Sequence, residues 1–85
     1  MALNIAYFAW VRERMGVAEE VVDVPAGMAD VAALVAWLAA RDDRGALAFA
    51  DPLRVRAAID GVMASPGSPL AGAREIALFP PVTGG

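Results

Sequence analysis

The chain has 85 residues, 59% of them hydrophobic and 20% charged, which fits one small globular domain rather than a disordered segment. Its net charge is −3 with the basic residues scattered, so the basic patch or stripe of a nucleic-acid binder is missing and no nucleic-acid partner is expected. It contains no Cys, His or Lys, all seven basic residues being Arg, which excludes a disulfide, a thiolate nucleophile, an imidazole base and a lysine Schiff base.

Taken in chain order, Leu3 to Val11 is apolar and aromatic and bounded by charge, which predicts a mostly buried strand. Arg12 to Gly16 reads as a turn. Val17 to Val24, β-branched at four positions, reads as a second strand ending at Pro25 and Gly27. Val31, Leu34, Val35 and Leu38 recur at i, i+3, i+4 and i+7 and predict the one main helix. Asp30 suits its N-cap, Arg41 and Arg44 its C-terminal end, and Gly45 its stop. The stretch ALAFADP that follows reads either as a short second helix or as a connector.

Beyond Pro52, Val55, Ala57 and Ile59 alternate with Arg54 and Arg56, as a strand requires. Asp60-Gly61 is a two-residue hairpin signal, and VMA returns beyond it. SPGSPLAGA is turn-rich, and Arg74 to Phe79 forms a final strand. The order β-β-α-β-β predicts an α+β domain of two layers, and the β-grasp arrangement, a mixed sheet packed on one main helix, fits it. In that arrangement the last strand is central. The expected division is a β-grasp domain over 1–79 and a flexible, extended C-terminal tail over 80–85.

The opening MALNIAYFAWV lacks a basic n-region and a cleavage site, so it does not read as a signal peptide. The longest apolar run, VAALVAWLAA, has ten residues, against about twenty needed to cross a bilayer. A cytoplasmic protein without a membrane partner is expected. Asp42-Asp43 has no further ligands beside it and reads as solvated, and the serines of SPGSP have nothing nearby to activate them, so no metal site is expected.

The ending FPPVTGG is the least ordinary stretch. Pro80 and Pro81 donate no backbone hydrogen bond, so the sheet should stop near Phe79, and they favour an extended path. Val82 and Thr83 continue it, and Gly84-Gly85 carry no side chain that would clash in a narrow channel. The six residues beyond Phe79 reach roughly 20 Å when extended. The terminal carboxylate of Gly85 is a poor electrophile until adenylation by ATP makes it a mixed anhydride. A sulfur nucleophile would then convert it into a thiocarboxylate. On residue types alone an idle, fraying terminus is the other reading.

YFAWVRE near the start and PLAGAREIALFPPVTGG at the end resemble the small, sulfur-carrier subunit of molybdopterin synthase, a ubiquitin-like β-grasp family. The resemblance spans the whole chain and its ending is the specific part. It implies that Gly85 is adenylated by an ATP-dependent activating enzyme and turned into a thiocarboxylate with sulfur from a donor protein. It also implies a heterotetramer with the large synthase subunit, the tail from Pro80 through Pro81, Val82, Thr83 and Gly84 threading that partner's active site. There Gly85 would give sulfur to cyclic pyranopterin monophosphate, two donations building the dithiolene of molybdopterin. The small subunit would be non-catalytic alone and bind no cofactor itself.

By the same resemblance Phe8, Met63 and Phe79 fall at partner-facing positions of the sheet, and Arg12 and Glu13 at positions that orient a partner. For Phe8, Met63 and Phe79 plain core packing is the alternative, and for Arg12 and Glu13 a solvated turn pair. Trp37, off the helical stripe, reads as core rather than interface. The chain departs from the family at Asp60, where Asn is frequent, at Trp10, where a more polar residue is expected, and in having no Lys. Two other functions share the diglycine ending: a thiamine-pathway sulfur carrier, usually shorter and without the Pro-Pro-Val approach, and a ubiquitin-like modifier attached to proteins through Gly85.

Overall fold

The computed structural model describes residues 1–81. Five strands and three short helices follow in the order β1 (Ala2–Tyr7), α1 (Ala9–Met15), β2 (Glu19–Asp23), α2 (Val31–Arg41), α3 (Asp43–Ala48), a 3₁₀ turn (Pro52–Arg54), β3 (Arg56–Ile59), β4 (Val62–Ala64) and β5 (Glu75–Phe79). The strands form one sheet in the order β2-β1-β5-β3-β4. Its central pair, β1 and β5, is parallel, and the other pairs are antiparallel. The expected mixed sheet with a central last strand is what forms.

One face of the sheet builds the core. Leu3, Ile5 and Tyr7 of β1 and Ile76 and Leu78 of β5 alternate inward and meet Val31, Leu34, Val35 and Leu38 of α2, all buried. Asp30 caps α2 as expected, its carboxylate accepting from the Ala33 N–H at 2.8 Å. The hairpin also forms as expected. Asp60 and Gly61 both take positive φ, 48° and 82°, the conformation a two-residue primed turn requires. Asp60 is held there because its carboxylate accepts the Glu75 N–H at 2.9 Å, tying the turn to the start of β5.

Several expectations need correction. The first strand stops at Tyr7, and residues expected to finish it and then turn form α1 instead. Ala9 swings to φ 52°, which breaks the strand, and Val11 and Met15, four apart, bury one face of the new helix. Gly16 closes it at φ 78°, donating to the Arg12 carbonyl at 2.9 Å. The second strand is correspondingly shorter, beginning at Glu19 rather than Val17.

Gly45 is not the stop of α2. The helix ends at Arg41, where Asp42 turns extended and its carboxylate accepts the Gly45 N–H at 2.7 Å to start α3. Asp42 is therefore a cap and an ion-pair partner of Arg41, not an idle solvated carboxylate. Gly45 is small for a steric reason, since a Cβ there would lie 1.8 Å from the Leu38 carbonyl oxygen. Gly45→Ala is expected to force α2 and α3 apart and cost about 3 kcal/mol, measurable as a lowered midpoint in thermal or urea unfolding. The short-helix reading of 46–52 holds only in part, because α3 begins at Asp43 and ends at Ala48.

A polar cluster locks the helical layer to the sheet. The Tyr7 hydroxyl donates to Glu20 Oε2 at 2.7 Å, and Arg41 grips the same carboxylate with two hydrogen bonds of 3.0 and 2.9 Å. Arg41 also donates to Asp42 at 3.1 Å and lies 5.7 Å from the Trp37 ring centroid, which packs against the core as expected. The Arg41 bonds hold the Glu20 pKa below the usual carboxylate range, partly opposed by burial and helped by Tyr7. A depressed carboxylate contributes stability above its unfolded pKa and loses it as pH falls through the folded value. Glu20→Gln is expected to cost about 1–3 kcal/mol near neutral pH and to flatten the acid limb of the stability curve.

Candidate functional site

Among the described residues no helix covers the face of the sheet turned away from α2. Register places Ala6 beside Ala77, Ala77 beside Ala58 and Ala58 beside Met63, a row of three alanines ending in a methionine. One step along, Phe79 pairs with Arg56. Phe8 follows Tyr7, the partner of Leu78, and its N–H donates to the Leu78 carbonyl at 3.1 Å. Because Tyr7 and Leu78 point inward, the period of two turns Phe8 and Phe79 outward side by side.

This gathers three of the predicted residues. Phe8 is 47% and Met63 65% exposed, and Phe79 is half-buried, so none of them is ordinary core. Large apolar side chains on an uncovered face mark an interaction surface. Val21, 71% exposed on β2, is a further apolar side chain on this face, set apart from the alanine row by its neighbours Asn4 and Glu19. The alanines were missed in the sequence reading. Their signal lay in β5, where the outward position between Ile76 and Leu78 carries Ala77 rather than a polar residue.

Arg12 does not lie on the sheet face. It sits on the exposed side of α1, one helical turn from Phe8, whose carbonyl accepts the Arg12 N–H at 3.3 Å. Glu13 beside it is likewise exposed. Both border the patch through Phe8 rather than belonging to it. Pro80 and Pro81 leave β5 half-buried at this same end. Val82, Thr83, Gly84 and Gly85 lie outside the described residues.

Among the described residues no group of three or more His, Cys, Asp or Glu side chains is gathered to hold a metal ion, and no helix is long and apolar enough to cross a membrane. On the helical side a groove of about 590 Å³ runs between α2 and the β3 side of the sheet, lined mainly by alanine, valine and Phe49. Arg56 and Ser65 are its polar side chains, too few to orient a small-molecule substrate. Met63→Glu is expected to shift stability by no more than about 0.5 kcal/mol in urea unfolding, because the side chain stands in solvent.

A five-stranded mixed sheet with a parallel central pair, grasping one main helix, defines the ubiquitin-like β-grasp class. SAMP1 from Haloferax volcanii superposes with a TM-score of 0.71 at 26% identity, covering 100% of both chains. A Pyrococcus furiosus protein described as a candidate molybdopterin converting factor, subunit 1, gives a TM-score of 0.72 over 96% of this chain and 99% of that one; at 23% identity it speaks for the fold alone. The molybdopterin synthase sulfur carrier subunit of Escherichia coli is 40% identical over 98% of this chain and 99% of its own. The ThiS family profile matches residues 5–85. The chain belongs to the ThiS family of β-grasp sulfur carriers.

Proposed function

We propose that the chain is the sulfur-carrier subunit of a molybdopterin synthase. The observation that carries this reading is the 40% identity over nearly the full length of the Escherichia coli sulfur carrier subunit, and the family profile match extends to Gly85. The domain 1–79 would be the platform and 80–85 the reactive tail, acting in the cytoplasm. The Gly85 carboxylate attacks the α-phosphorus of ATP on an activating enzyme, releasing pyrophosphate. Hydrosulfide supplied by a sulfur donor protein then attacks the acyl carbon, AMP leaves, and loss of the proton gives a thiocarboxylate.

The charged tail next enters the large synthase subunit, in a heterotetramer. There the thiocarboxylate sulfur attacks cyclic pyranopterin monophosphate, and after two rounds the product is the dithiolene of molybdopterin. The platform supplies no acid, base or nucleophile to these steps. Its Phe8, Met63 and Phe79 dock the partner, and Pro80 and Pro81 stiffen the approach so that Val82 to Gly85 reach the active site. Arg12 orients the docked pair from the rim. This chain is the reagent, and its partners hold the catalytic groups.

Incubation with ATP, the activating enzyme and a sulfur source should raise the intact mass by one oxygen replaced by one sulfur. Deletion of Gly85, or addition of one residue beyond it, is expected to remove that shift and all molybdopterin formation while leaving the folded spectrum intact. Full molybdopterin formation by either variant would refute the proposal. Met63→Glu should accept sulfur normally yet bind the large subunit about tenfold more weakly, read by titration calorimetry.

The match to small archaeal modifier protein 1 favours a second reading, attachment to other proteins through Gly85. The family profile equally admits a thiamine-pathway carrier. Conjugates of this chain with cellular proteins would indicate the first. Sulfur delivered to a thiazole precursor, with none delivered to the pyranopterin, would indicate the second.

A further inference from the structure

The root of the tail stands between two elements that leave the sheet at the same end. β5 lies between β1 and β3. β1 runs on through Phe8 into α1, and β3 is entered from the 3₁₀ turn Pro52–Arg54. Where α1 meets the segment from α3 to that turn they enclose a cleft of about 260 Å³, lined by Trp10, Arg14, Ala48, Ala50, Asp51 and Arg54.

The cleft is built for a negative charge. The Arg14 guanidinium lies 4.4 Å from the Trp10 ring centroid, which holds it over the aromatic face. Arg54 stands on the other wall. The one carboxylate present, Asp51, accepts the Leu53 N–H at 3.2 Å and so helps to hold the 3₁₀ turn. Among the described residues the arginine side chains that donate hydrogen bonds are Arg41 and Arg56, so both cleft guanidiniums keep their donor sets. Two cations against one anion leave the cleft positive in a chain of net charge −3.

Its size and place choose the ligand. Small-molecule sites run from about 300 to 1,000 Å³, and this cleft falls just below them, with room for a side chain that enters from a docked protein. A protein that closes around the tail must abut the surface at its root. On one side of that root it meets Phe8 and Phe79, and two residues beyond Phe8 it meets Trp10 and the cleft. We propose that the cleft receives one Asp or Glu side chain of the protein that takes up the tail, its carboxylate held by Arg14 and Arg54. This rests on the reading above that a partner encloses the tail. The pair fixes the rotational setting of the partner about the tail and speeds encounter, which apolar contacts alone do poorly.

Two arms test it on the full chain. In the first, a blocked Gly-Glu-Gly peptide is titrated while the Nε–H signals of Arg14 and Arg54 and the indole N–H of Trp10 are followed by NMR. The expected result is that these three signals move in the low-millimolar range and stay still with Gly-Gln-Gly. No movement with the glutamate peptide would overturn the proposal, and so would inorganic phosphate acting at lower concentration, since the cleft would then be a free-anion site. In the second arm, Arg14→Ala/Arg54→Ala is expected to slow association with the large synthase subunit about tenfold at low salt and to flatten its salt dependence. Phe79→Ala should instead speed dissociation and leave the salt slope unchanged. An unaltered rate and slope in the double variant would overturn the cleft assignment. If the unmodified chain does not bind that subunit, the synthase role fails, and the peptide arm still decides the cleft.

Discussion

Everything in the molecule that bears on function depends on the double pairing of β5. It is hydrogen-bonded to β1 on one side and to β3 on the other, and both ladders run to its last residues, Leu78 beside Tyr7 and Phe79 beside Arg56. A terminal strand at a sheet edge frays readily; one in the middle opens only if two ladders break together. Pro80 and Pro81 end the pairing at a defined place because neither can donate to a neighbour. The point from which the tail departs is thus held by a ladder on each side.

The helical layer has the complementary task of keeping that sheet rigid from one side only. The apolar core is built from branched aliphatic side chains with Tyr7 and Phe49, and it gains fixity from polar ties. Tyr7, Glu20 and Arg41 join β1, β2 and α2 through one carboxylate, and Asp42 passes the constraint on to α3 through the Gly45 N–H. Gly45 lets α3 approach the Leu38 carbonyl closely. With α3 drawn in, the segment from Phe49 to Arg54 is carried to the end of the sheet where the tail begins.

Much of this was legible in the sequence because the signals were local and repeated. The four-residue apolar stripe of α2, the Asp60-Gly61 turn and the bounded REIALF strand each carry their own periodicity or turn chemistry. The helix α1 does not. Trp10 and Val11 extend the apolar run of β1, only Val11 and Met15 mark the helical period, and nothing about Ala9 announces a left-handed backbone. Gly45 misled for a related reason. A glycine near the expected end of a helix reads as a cap, whereas here the missing Cβ serves a contact between helices that no local pattern encodes. The outward phenylalanines were a third kind of case. Phe8 and Phe79 are apolar in a largely apolar chain, and composition cannot separate an outward phenylalanine from a core one. Strand register does.

That register also explains why the outward face is so plain. The row Ala6, Ala77, Ala58 and Met63 offers breadth without polar groups, and among the described residues its neighbours bring no histidine, cysteine or lysine that could compete for an activated acyl group. A reactive carboxyl terminus on a domain rich in nucleophiles would risk acylating its own platform. Here the side-chain amines and thiols are missing altogether, and guanidinium groups, protonated at every physiological pH, are poor nucleophiles. Arginine supplies all the side-chain positive charge without offering an amine for acyl transfer, so the composition fits the reading proposed above, in which the terminus is the reactive group.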